Sequence, residues 1–311
     1  MKNTFYCLLL FAWLFTMPSF AQSAQPLTDS TTTTTDTLAQ SLLWEISGQQ
    51  LTAPSYLFGT IHMIGKDDFE LTDVTRQSLE QTARVTFEID MADMNDIGKQ
   101  MSMMMKAFMD GGMTLKQLLN DEDYQLVSDF FKKMGMPMMF LERIKPMFLS
   151  ALTATDMSPD ALQSEEVMSY EMELMKIAET QEKETSGLET MEFQMSMFDS
   201  IPYQAQAEML VDGIRNQEGG NEQFEEMVKL YKAQDINGMH QMIDEDEGGM
   251  GDYEELLLVN RNKNWIPIME KMMQEKPTFF AVGAGHLGGQ KGVVRLLRAA
   301  GYKLKPLGMT E

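Results

Sequence analysis

The stretches of this chain able to form β-strands lie at its two ends and what separates them is helical, so a central sheet has to draw on both ends of the folded part. Near the start, residues 42–47 alternate partly before a turn at Gly48, and residues 56–64 and 85–91 are β-rich. Between the latter two, residues 71–83 place Leu71, Val74, Ser78 and Leu79 at helical spacing, which predicts a strand–helix–strand crossover. Near the end, residues 278–282 are a compact apolar run. Residues 291–300 have helical character, and Gly301 leads into a last short strand over 302–307. The intervening stretch of about 185 residues reads mostly as helix, broken near Gly111-Gly112, 135–137, Pro146, Ser158-Pro159, Pro202, Gly219-Gly220 and 248–251. One short strand, 185–188, is expected inside it. The expected fold class is α/β (α+β): a central mixed sheet from the N- and C-terminal strands, with a large, mostly helical middle insertion.

Composition narrows the function classes. With 25 Lys and Arg against 47 Asp and Glu, a net charge of -22, the chain offers no attraction to phosphate backbones or anionic lipid, and a nucleic-acid binder is excluded. At 43% hydrophobic and 9% aromatic residues it is too apolar for a disordered chain. Its single cysteine, Cys7, permits neither an intrachain disulfide nor a Cys-cluster zinc site. Lys2, the apolar run 5–15, Pro18 and the small-x-small sequence Ser19-Phe20-Ala21 read as a signal peptide, residues 1–21, cleaved after Ala21. The run is about half the ~20 residues that span a bilayer, and no later segment is apolar for long enough. The expected product is exported, periplasmic or extracellular, with no transmembrane segment after cleavage. Residues 22–40, built around Ser30, Thr31 to Thr35, Asp36 and Thr37, form a polar low-complexity linker, and one domain is expected over 41–311.

The two ends share a motif. Gly59-Thr60-Ile61-His62 follows the apolar Tyr56-Leu57-Phe58, and Gly283-Ala284-Gly285-His286 follows residues 279–282. Two of only three histidines thus stand just past a strand, each three residues after a glycine. In open α/β sheets the crevice beyond the carboxyl ends of the strands is the usual ligand site. Gly59, Gly283 and Gly285 permit tight turns and close approach to the backbone. A histidine there offers one ring nitrogen to a metal or a proton; the plain alternative is a pair of satisfied strand-end histidines. In residues 85–90 strand alternation puts Phe87 and Ile89 on one side and Thr86, Glu88 and Asp90 on the other, so Glu88 either reaches the same crevice or is a partly solvated strand residue. Two histidines and a carboxylate leave open positions on a divalent ion, the arrangement of hydrolytic zinc sites and of the iron facial triad.

Taken together, Leu43-Trp44, the block from Tyr56 to His62, Phe87-Glu88, Leu188-Glu189-Thr190 with Gln194, Arg261-Asn262 with Trp265, the block from Ala281 to Leu287, and Gly301-Tyr302 resemble the TraB/GumN family, which includes the animal Tiki proteins. The resemblance covers residues 42–307, and the C-terminal block is its most specific part. It implies a fold akin to erythromycin esterase and the haem-binding ChaN-like proteins, and the metal-dependent protease activity attributed to the Tiki branch. Carried onto this sequence, it implies His62 and His286 as the paired histidines and Glu88 as the glutamate of a site for Mn, Co or Zn. The expected function is a secreted metal-dependent hydrolase, peptidase-like, acting on a peptide or small-molecule substrate. The alternative is a non-catalytic haem- or peptide-binding protein of the same fold.

Glu189 either joins the site or caps the helix from Met191, and capping is the favoured reading because acidic groups suit a helix N-terminus. Arg261 and Asn262, near the end of an apolar helical run, are candidates for an oxyanion or carboxylate contact and its orientation, against a plain structural ion pair. If Glu88 is a general base rather than a ligand, Glu189 is the next candidate ligand. The 32 methionines, dispersed over the helical region, are read as core filler in preference to a peptide groove or a copper site. Residues 244–255 have part of a calcium-loop pattern but lack a carboxylate at Gly248, and read as a solvated acidic loop. His240 has no partner by spacing and is expected on a helix surface.

Overall fold

The computed structural model describes residues 37–90, 97–153, 167–218, 222–246 and 251–308. The expected signal peptide, residues 1–21, residues 22–36 of the expected linker, the breaks at Ser158-Pro159 and Gly219-Gly220 and the centre of the acidic loop, 247–250, lie outside the described residues. Within the linker's last residues, Leu38 is already buried in the main core.

Among the described residues eight strands make two sheets. The large one holds β1 (Leu43–Ser47), β2 (Ser55–Thr60), β4 (Arg84–Ile89), β6 (Glu184–Glu189), β7 (Thr278–Gly283) and β8 (Lys303–Pro306) in the order β6-β4-β7-β2-β1-β8. The small one pairs β3 (Ile64–Gly65) with β5 (Val167–Met168). In the large sheet β2, β7, β4 and β6 run parallel, and β1 is antiparallel to both β2 and β8. The sheet is therefore mixed and drawn from both ends of the chain, with β7 seated between β2 and β4 and with the helical insertion between β4 and β6 and between β6 and β7. A run apolar on both faces wants a two-sided cover, and all six residues of β2 are buried, as are the first five of β7. The run 56–64 does not continue as one strand: β2 ends at Thr60, and Ile64–Gly65 turns away to pair with Val167–Met168.

Trp44, Leu57, Phe279, Phe280, Trp265 and Met269 are fully buried around the sheet. Each such side chain contributes about 1.5–3 kcal/mol of transfer free energy. The insertion builds a separate core from Met109, Leu115, Val127, Phe131, Leu149, Leu210 and Ile214, in which Val127 and Phe131 share one face of the helix Asp121–Lys133. The core-filler reading of methionine holds for Met109, Met191, Met195, Met197, Met239, Met269 and Met273, which are buried. It fails for Met101, Met104, Met105, Met113, Met139 and Met172, which are exposed. Met is apolar but unbranched and adaptable, so its count alone does not assign it to an interior.

Candidate active site

Four parallel strands deliver the site. Thr60 of β2 lies opposite Gly283 of β7, and Ile89 of β4 opposite Glu189 of β6. His62 and His286 therefore leave the carboxyl ends of adjacent strands, while Glu88 and Glu189 stand at the same ends of the next two. The β4–β7 ladder stops at Thr86 and Phe280. Past that point Glu88 Oε1 accepts the Gly283 N–H at 2.8 Å, so the carboxylate is seated where the strands part.

Arg261 and Asn262 were expected near the end of a helical run. They open the long helix Asn260–Glu275, directly after the π-helical turn Glu255–Val259. From there the guanidinium enters the space between β4 and β6. Its Nε donates to Glu189 at 2.9 Å, its Nη2 to Glu189 at 2.7 Å and to Glu88 Oε2, and its Nη1 to the Leu257 carbonyl and to His286 Nε2, both at 3.1 Å. All five N–H groups have an acceptor. Gln194 Nε2 donates to Glu88 Oε2 at 3.2 Å. Trp265 Nε1 donates to Glu189 Oε2 at 2.9 Å, and its ring lies under the guanidinium carbon at 4.9 Å. The favoured helix-capping reading of Glu189 is overturned: Thr190 caps the helix Met191–Phe198, accepting from the Phe193 N–H, and the Glu189 carboxylate is spent on Arg261 and Trp265.

Burial opposes ionisation of Glu88, but His286, Arg261, His62 and the Gly283 N–H together hold its pKa down at about 2. At Glu189 burial wins and the pKa is raised, although Arg261 and Trp265 pull the other way. His286 is pushed down to about 3 by burial, with Arg261 adding to the effect, so it is neutral near pH 7. Its Nδ1 lies 2.6 Å from Asn262 Oδ1, and Asn262 Nδ2 is anchored on the Lys291 carbonyl at 3.0 Å. The amide oxygen faces the ring, so Nδ1 carries the hydrogen and Nε2 the lone pair. Trp265 packs at 4.4 Å between ring centroids.

His62 stands at the mouth, 76% exposed, against 12% for Glu88 and 4% for His286. Its Nδ1 is 2.9 Å from Glu171 Oε1, a hydrogen bond that raises its pKa to about 9 despite desolvation. Glu171 was not singled out from the sequence. It follows Ser169 at the start of the helix Tyr170–Thr180, where a first-turn acid reads as an ordinary helix-end charge. His240 differs from its surface expectation. It is 24% exposed, its Nδ1 is buried without a hydrogen-bond partner, and its ring packs against Gly289.

The motif glycines serve close packing rather than unusual backbone angles. A Cβ on Gly59 would meet Ala284 Cα at 3.1 Å, so the two motif copies pack on each other. On Gly283 it would meet Glu88 Oε1 at 3.2 Å, and on Gly285 the Ile243 side chain at 2.8 Å. Just beyond His286, a Cβ on Gly288 would lie 2.2 Å from the Ile236 carbonyl oxygen, an atom of a helix backbone that cannot turn aside. Gly288→Ala is expected to cost roughly 1–3 kcal/mol by thermal melting, whereas Gly65→Ala, whose nearest neighbour would be Asp68 Oδ2 at 3.7 Å, leaves the melting point nearly unchanged. Equal melting of the two variants would contradict this packing.

Among the described residues no group of three or more His, Cys, Asp or Glu side chains is placed to hold a metal ion. Arg261 fills the space between Glu88, Glu189 and His286. The donor chemistry nevertheless fits a small divalent cation. Both histidines have Nδ1 tied to an oxygen acceptor, the habit of metal-ligating imidazoles, so Nε2 is the nitrogen each would offer, on His286 in place of its contact with Arg261. His286 Nε2 is 3.7 Å from Glu88 Oε1, near the ~3.3–3.5 Å that separates two ligands sharing an ion at bonds of ~2.0–2.2 Å. Glu189 is fully engaged and is a poor ligand candidate. Haem fits less well: the His286 ring is held on its two nitrogens and covered by Trp265, which leaves no approach for a macrocycle.

The sequence profile of the TraB/PrgY/gumN family matches residues 42–306. The chain is 24% identical over 354 aligned residues to Metalloprotease TIKI2 of Danio rerio, covering 94% of this chain and 67% of that protein. It is 22% identical over 319 aligned residues to Metalloprotease TIKI1 of Danio rerio, covering 85% of this chain and 63% of that protein. The chain thus spans about two thirds of the length of these relatives. No solved structure matches it. No helix of the described residues is long and apolar enough to cross a membrane.

Proposed function

Because the chain belongs to the TraB/PrgY/gumN family, we propose that its strand-end site makes it an exported, divalent-metal-dependent hydrolase that cleaves peptide bonds. One observation carries the reading: imidazoles leave the carboxyl ends of adjacent parallel strands, each fixed through Nδ1, and that of His286 lies 3.7 Å from a carboxylate kept ionised inside the fold. The metalloprotease names of both relatives support the same class, and the basic-then-apolar start of the chain supports export.

His62, His286 and Glu88 would hold the ion. When bound, it supplies Lewis acidity and a water acidified toward neutral pH. The chain's own residues do the rest. Asn262 keeps the lone pair of His286 on Nε2. Gly283 N–H and Gln194 hold the Glu88 carboxylate in place, while Glu189 and Trp265 hold Arg261. Of the five Arg261 N–H groups, the two on Nη1 break no carboxylate pair when exchanged: one is given to the Leu257 carbonyl and the other, inside the site, to His286 Nε2. We assign the latter to the carbonyl oxygen of the scissile bond, where charge develops.

The test is cleavage of a peptide library by the purified protein with Mn, Co or Zn, stopped by chelator and by His62→Ala; equal cleavage by the variant ends the proposal. The pH dependence is a second check. A proton must leave His62 before it ligates, and its pKa is raised to about 9. Co(II) affinity is therefore expected to rise up to roughly tenfold per pH unit below that value and to level above it. A flat profile from pH 6.5 to 8.5 would remove His62 from the ligand set.

A further inference from the structure

We propose that Glu171, carried by the helical insertion, is the positioning residue for His62, fixing its ring so that Nδ1–H faces the insertion and the Nε2 lone pair faces the crevice. This rests on His62 being a working member of the site proposed above.

The small sheet places the two residues. Ile64 pairs with Met168 and Gly65 with Val167, so His62 enters this ladder and Glu171 leaves it on the same side of the chain crossing. Tyr170, the neighbour of Glu171, is locked among Phe58, Phe69 and Tyr231 at ring-centroid distances of 5.8, 4.5 and 5.5 Å, and its hydroxyl donates to the Glu70 carbonyl at 2.9 Å. The Glu171 carboxylate, 12% exposed, is then held at both oxygens. Oε1 accepts from Thr60 Oγ1 at 2.7 Å and faces His62 Nδ1 at 2.9 Å, while Oε2 accepts from Ser169 Oγ at 3.0 Å. An ionised carboxylate only accepts, so the ring nitrogen facing it carries the hydrogen. Thr60, the last residue of β2, ties the same oxygen to the strand that delivers His62. An exposed histidine just past a strand end has rotamer freedom of its own. The clamp removes it, and the part of the insertion between β4 and β6 thereby contributes one residue to the site.

The experiment is a double-variant cycle on the purified protein, read as Co(II) dissociation constants. Glu171→Ala is expected to weaken binding roughly 10–100-fold, the usual effect of losing an outer partner of a ligating histidine. Made in a His62→Ala background, the same change is expected to cost less than about threefold, since the ring that it positions is gone. Glu171→Gln, which keeps an accepting oxygen, is expected to retain most of the affinity. Equal losses from Glu171→Ala in both backgrounds would overturn the assignment. A second readout needs no metal: the imidazole 15N spectrum of the metal-free protein at alkaline pH. It should show His62 hydrogen-bearing at Nδ1 in the parent protein and reverting to Nε2–H in Glu171→Ala. An unchanged tautomer would overturn the proposal. If the parent protein binds no Co(II) while the tautomer reverts as described, the metal reading falls and the role of Glu171 stands.

Discussion

Replacing Arg261 by methionine is expected to destabilise the protein by roughly 3–5 kcal/mol, because it strands two buried carboxylates that share one counter-charge. Glu88 and Glu189 are 12% and 5% exposed, and the guanidinium between them is 8% exposed. For a domain of this size that corresponds to a fall in Tm of roughly 6–20 °C. The deficit should depend on pH with a definite sign. Burial already raises the pKa of Glu189, and loss of the cation raises it further, so the folded variant takes up a proton more readily than the unfolded chain. Stability is thus recovered as pH falls and lost as pH rises, and the gap to the parent protein should be wider at pH 8 than at pH 5. Adding Glu189→Gln to Arg261→Met should restore part of the loss. Arg215→Met, which breaks a pair whose arginine is 51% exposed, is the control and should cost about 1 kcal/mol or less. Urea or thermal unfolding across pH decides the matter; an Arg261→Met variant as stable as the control would show that the cluster is not electrostatically coupled.

Glu88→Gln is expected to lower kcat/KM for peptide cleavage by at least roughly 10²-fold. The substitution keeps the shape but not the chemistry. One Glu88 oxygen accepts the Gly283 N–H and the other accepts from Gln194 and Arg261, so an amide placed there turns its NH₂ toward a donor whichever way it is flipped. The same variant removes the carboxylate charge that lies 3.7 Å from His286 Nε2. Divalent-ion affinity, measured by chelator competition, should fall with the activity. A kcat/KM within about threefold of the parent protein would take Glu88 out of the reaction altogether, and an intact metal affinity with lost turnover would reassign it from ligand to base.

Several parts of the fold and site were legible because they are local. Local patterning placed β1, β4, β6 and β7 within a residue or two and found the start of β2, whose end at Thr60 the run 56–64 overshoots. In β4 strand alternation put Glu88 opposite the buried Phe87. The repeated Gly-x-x-His marked two strand ends, and the parallel pairing of β2 with β7 brings those ends side by side. Other parts were legible only as residue types. Arg261 was a charge with many conceivable carboxylate partners, and Glu189 a carboxylate beside a helix start. Nothing in their spacing says that they bind each other across 72 residues of sequence. His240 has no partner by spacing, and that absence does not put it on the surface. Ile236 and Met239, one turn before it, are buried, and Gly288 and Gly289 lack the Cβ atoms that would hold its ring away. Glu171 carried no signal beyond a favourable helix-end charge.

Taken alone, the order of amino acids determined the secondary structure at the two ends, the net acidic charge, and the kinds of side chain present for chemistry. Periodicity and composition act over a few residues at a time, so they survive without a three-dimensional frame. The tertiary structure decided which charges meet, that a guanidinium stands between the two glutamates, which ring nitrogen of each histidine is left for a ligand, and that a helix of the insertion supplies the carboxylate behind His62. Those outcomes rest on distances of about 3 Å between groups far apart in the chain, where hydrogen bonding and burial set protonation and orientation together.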